Sequence, residues 1–67
     1  MLEVRKWSET NPNPYDVVFV HEGKSYFQPG VSFSTDTIAQ KHKASLEKRL
    51  SETPEAKNFI LDHWEQD

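Results

Sequence analysis

Three histidines, His21, His42 and His63, are the residues of this chain whose type most readily does chemistry. Imidazole ligates metals and moves protons near neutral pH. No two of them stand at the i, i+4 spacing of a helical metal site, and there is no cysteine to complete a zinc set. They read as amphipathic residues at the edge of a core, with His42 and His63 able to meet if their segments pack together. Acid pairs for proton transfer are Asp62 with Glu65 and Asp16 with Glu22. Nothing in the spacing puts either pair into a pocket. Gly23 and Gly30 are the only glycines, so there is no phosphate-cradling loop. The serines and threonines before Thr37 fall in loop, strand or cap contexts, and none has the setting of a nucleophile. The expectation is a protein that is not an enzyme and that uses no cofactor or metal.

Eight large rings in 67 residues are the less ordinary feature. Tyr and Trp anchor interfaces, and one sheet covered by two helices cannot bury all eight. Trp7, Tyr15, Tyr26 and Phe27, with the aliphatic Leu61, are therefore the candidate partner-binding residues.

The elements that must hold them follow from the hydrophobic period, which changes at Ser34-Thr35-Asp36. Leu2 and Val4 alternate with Glu3 and Arg5, which reads as a strand ending near Trp7. Residues 8–14 form a loop, with two prolines that remove backbone donors. Tyr15 to His21 is β-branched and aromatic throughout, a strand. Glu22-Gly23 makes a two-residue hairpin turn, which sets His21 opposite Lys24, Phe19 opposite Tyr26 and Val18 opposite Phe27. One sheet face then carries Val17, Phe19, His21 and Tyr26, and the other Val18, Val20 and Phe27. Val31 and Phe33 flank Ser32 as a short further strand.

Past the seam the period is helical. Ser34, Thr35 and Asp36 are N-cap candidates. A first helix from about Asp36 to Leu50 sets Ile38, Ala39, His42, Leu46 and Leu50 on one side, with Lys43 and Glu47 paired at i, i+4. Thr53 with Pro54 marks the start of a second helix. Ala56, Phe59, Ile60, His63 and Trp64 share its inner face. The fold expected is α+β: a small antiparallel three- to four-stranded sheet over residues 1–33, then an αα-hairpin over 34–67 packed on one face, in a single domain.

Charge is uneven along the chain. The formal net of -3 is distributed as a slight acidic excess before the seam, a basic first helix and a strongly acidic second one. Helices of opposite sign should attract each other. The overall sign argues against a dedicated non-specific nucleic-acid binder. Folding at this size buries only about 60% of the unfolded surface. With no disulfide or thiolate metal site to add, idealised packing or oligomerisation is the expected staple. No run approaches the ~20 apolar residues of a membrane helix. With no leader segment in view and no cysteine, a soluble cytoplasmic protein is expected.

The order of hairpin, short strand, then Phe33-Ser34-Thr35 with Ala39 on the following helix resembles the arm-type DNA-binding domain of tyrosine recombinases, over roughly residues 16–50. That resemblance implies DNA reading by a basic sheet. Here the central strand carries Val17, Val18, Phe19 and Val20 instead. Two functions follow. The first is a protein-binding module, a small adaptor or inhibitor, homodimeric, of the kind phages and mobile elements carry as accessory proteins. The alternative is a DNA-binding accessory domain using the sheet with Lys41, Lys48 and Arg49.

Overall fold

The computed structural model describes residues 1–67. Four strands and two helices follow in order: β1 (Leu2–Lys6), β2 (Tyr15–His21), β3 (Lys24–Phe27), α1 (Asp36–Glu52), α2 (Ala56–His63) and β4 (Glu65–Gln66). The sheet is antiparallel with order β1-β2-β3-β4. The expected α+β layout, with the helices on the sheet, is the one the chain adopts.

The hairpin has the expected register: Val18 faces Phe27, Phe19 faces Tyr26 and His21 faces Lys24. Glu22 and Gly23 both take positive φ, 52° and 75°. That is a turn whose twist matches the strands, at the cost of a left-handed glutamate. The loop before β2 is tied by its own polar side chains. Ser8 Oγ accepts from the Thr10 and Asn11 amides, Asn11 Oδ1 accepts from the Asn13 amide, and the Trp7 amide donates to the Pro14 carbonyl.

The fourth strand is not the one the sequence indicated. Val31–Phe33 forms no strand; Phe33 makes only an isolated bridge to Tyr15. Glu65–Gln66 pairs with β3 instead, and the Asp67 amide donates to Ser25. The helical half therefore returns to the sheet in its last residues.

Thr35 caps α1, its hydroxyl accepting from the Ile38 amide at 3.2 Å. Thr53 does not cap α2. Its own amide still donates to Arg49, which makes it the C-cap of α1. Pro54 and Glu55 form the turn, and α2 begins at Ala56 with no side-chain cap. The expected Lys43–Glu47 pair does not form, and no ion pair joins the helices.

Only eight residues are buried, so the core is thin and much apolar surface faces outward. Leu2, Val17, Phe19, Ile60 and Trp64 form its centre, with Val4, Tyr26, Phe33, Leu46, Leu50 and Leu61 packed around them. Two residues expected on the inner faces are largely exposed: Ile38 at 46% and Phe59 at 59%. Each sits beside a buried residue, Ala39 or Ile60. One residue along a helix is about 100° of rotation, enough to turn a side chain out of a narrow seam.

Candidate functional site

The inward turn of Ile60 and Trp64 fixes what α2 presents outside. Four residues apart, they share one face and carry the buried side of the helix. Phe59 must then lie on its flank, where His63 stacks on it at 4.2 Å between ring centroids, 16° from parallel. The His63 Nδ1 is 3.0 Å from the Phe59 carbonyl oxygen, which holds the imidazole over the ring. Phe59 and Ile60 line one wall of an open groove of about 560 Å³, with Leu46 and Leu50 of α1 on the other. Trp64 also lines it, and Arg49 and Glu55 add one charge of each sign. This is an apolar trough with a polar edge.

His42 also lines this groove. Its ring meets Phe33 at 4.9 Å, tilted by 41°. Burial, and then the positive charge of Arg49, lower its pKa below the usual 6.5. His21 stacks near Phe19 at 5.9 Å. Each histidine is thus partnered with a phenylalanine, and no three His, Cys, Asp or Glu side chains converge.

A second concavity, about 720 Å³, lies on the other sheet face. Strand alternation puts Glu3 and Arg5 of β1, Asp16, Val18 and Val20 of β2, and Ser25 and Phe27 of β3 on that face. Arg5 is its centre. Its Nε donates to Asp16 Oδ1 at 3.1 Å, one Nη to Asp16 Oδ2 at 2.8 Å, and the other Nη to Asp67. The guanidinium carbon lies 5.9 Å from the Phe27 ring centre. The hydrogen bond to Asp16 chiefly raises the Arg5 pKa, and the Asp67 bond adds to it, while burial pulls the other way. The arginine thereby ties three strands and the C-terminal residue together. Three of its five N–H donors are taken up within the protein. Counting Glu3, Asp16, Glu65 and Asp67 against Arg5, this face is acidic.

The five candidate partner-binding residues do not make one surface. Trp7, 45% exposed, and Phe27 line the concavity on the acidic face. Tyr26 and Leu61 are half-buried against the core on the helical side. Tyr15 is half-buried and bridges to Phe33. Lys41 and Lys48 are exposed, about half a turn of the helix away from buried Ala39, so they point away from the sheet. Arg49 belongs to the groove between the helices. Neither acid pair shares a concavity: Asp16 is held by Arg5 while Glu22 sits in the hairpin turn, and Asp62 and Glu65 are exposed and line neither hollow.

Sequence reasoning missed Phe59 as a surface residue. The available signal was the Ile60–Trp64 axis, which leaves Phe59 one step off. It also missed Arg5 with Asp16, which only the β1–β2 register brings opposite each other. Compared with protein-family models, curated proteins and solved structures, the chain matches none.

Proposed function

We propose that the chain is a non-enzymatic protein-binding module, a small adaptor or inhibitor, that receives its partner on the groove between α1 and α2. The observation that carries this reading is Phe59: a 59% exposed ring beside Leu46, Leu50 and Ile60 in an open trough. Large apolar groups gathered on a surface mark interaction sites, and aromatic anchors supply much of the binding energy at such sites. The remaining parts of the reading are a homodimer in the cytoplasm and an accessory role for a phage or mobile element. They rest on small size, thin core and absence of cysteine. No helix is long and apolar enough to cross a membrane.

The outward stripe of Lys41 and Lys48 favours the second reading, DNA binding. Against it, the sheet face free for DNA is acidic, and the two lysines point to the opposite side of the molecule. Capture from extracts of the encoding cells, with and without nuclease and at low and moderate salt, separates the two. A protein partner retained through nuclease and salt, and lost with Phe59→Ala, supports the groove. Loss on nuclease treatment, or a steep fall with salt, supports DNA.

A further inference from the structure

We infer that two copies of the chain join edge to edge through β1, antiparallel, with Val4 at the two-fold axis. The inference rests on the dimeric part of the reading above and is independent of the groove. β1 is a terminal strand of the sheet, paired only with β2. It runs five residues in regular register without a bulge or proline, devices that blunt natural edges. The odd-numbered residues flanking it fix which groups turn inward: Met1 exchanges both bonds with Val20, and the Trp7 amide donates to Pro14. By alternation, Leu2, Val4 and Lys6 turn their amides and carbonyls outward, unpaired.

Those outward groups limit the registers open to a second copy. Bonded pairs must join even-numbered residues to even-numbered ones. Pairing Val4 with Val4 engages the whole strand, with Leu2 opposite Lys6. It also sets Glu3 of each copy opposite Arg5 of the other, opposite charges at closely spaced cross-strand positions. A slip of two residues one way puts Glu3 on Glu3; the other way puts Arg5 on Arg5. Charge therefore selects one register. The other edge, β4, spans two residues and carries Glu65 beside Asp67, so its self-pairing is short and repulsive. An isologous β1 pair closes on itself and makes one continuous eight-stranded sheet of two four-stranded halves.

Sedimentation equilibrium combined with NMR of a mixture of isotope-labelled and unlabelled chains tests this. The expected result is a dimer with a cross-copy contact between the Glu3 and Arg5 α-protons. Glu3→Arg should weaken it roughly tenfold, because two opposite-charge pairs become like-charge pairs. Methylating the Val4 amide nitrogen in a synthetic chain should leave the monomer fold intact and abolish dimerisation. A monomer at all concentrations would overturn this inference together with the dimeric reading. A dimer whose constant survives Val4 N-methylation would overturn the β1 pairing alone, and neither result bears on partner capture at Phe59.

Discussion

Arg5 and Asp16 face each other across β1 and β2, and the guanidinium grips the carboxylate with two hydrogen bonds. Asp16 is the only buried charged residue, while Asp67, the second acceptor, is half exposed. Two carboxylates on one arginine should therefore differ in weight. Asp16→Ala should cost about 1.5–3 kcal/mol, the range for hydrogen bonds to charged groups. Asp67→Ala should cost less than about 1 kcal/mol, as exposed ion pairs do. Urea unfolding of both variants checks the order; equal losses would contradict it.

Phe59 on α2 and Trp64, the residue that ends it, have opposite exposures, 59% and 8%. Trp64→Ala should cost about 3–5 kcal/mol, a large part of the total for a small domain. Phe59→Ala should stay within about 0.5 kcal/mol, as surface substitutions do. Thermal melts decide. A Phe59 variant that unfolds like the Trp64 variant would make Phe59 a core residue.

The two threonines at helix ends give a similar contrast. Thr35→Ala removes a capping oxygen from the Ile38 amide and should cost about 1 kcal/mol. Thr53→Ala removes no capping side chain from α2 and should cost only a few tenths of a kcal/mol, because its role in ending α1 is a backbone bond. Denaturant midpoints of the two variants, measured together, test the assignment of Thr53.

His42 makes stability depend on pH. Its folded pKa lies below 6.5, through burial and then Arg49. Around that pH the unfolded chain binds more protons than the folded one, so stability rises with pH there. The contribution is present above 6.5 and is lost as pH falls through the folded value. His42→Gln should flatten this part of the profile between roughly pH 7.5 and 5.5. An unchanged slope in the variant would place the pH dependence elsewhere.

How much of this was legible in the sequence depends on the kind of signal. The hairpin was readable because Tyr15 to His21 is an unbroken β-forming run followed by Glu22-Gly23, and turn length fixes register. The α1 cap was narrowed to Ser34, Thr35 and Asp36, which stand where the period changes, and the bond to the Ile38 amide selects Thr35 among them. β4 was not, because Glu65 and Gln66 are polar and too short to show a period, and only β3 gives them a partner. Thr53-Pro54 misled because Ser51 and Glu52 continue the α1 ladder, so Thr53 is used as an ending. Ile38 and Phe59 misled together: each adjoins the true axis of its helix and widens the apparent apolar arc. The Arg5–Asp16 pair needed the β1–β2 register, and Asp67 joined it only through β4.

The central claim is that a protein partner sits in the groove between α1 and α2, against Phe59. The most direct measurement replaces Phe59 with a photo-crosslinking phenylalanine analogue, and Lys48 with the same analogue as a control on the outer face of α1. Both are irradiated in extracts of the encoding cells, and the adducts are identified by mass spectrometry after nuclease digestion. The account predicts one discrete protein adduct from position 59, persisting at moderate salt, and none from position 48. A nucleic-acid adduct, or a discrete adduct only from position 48, would contradict it.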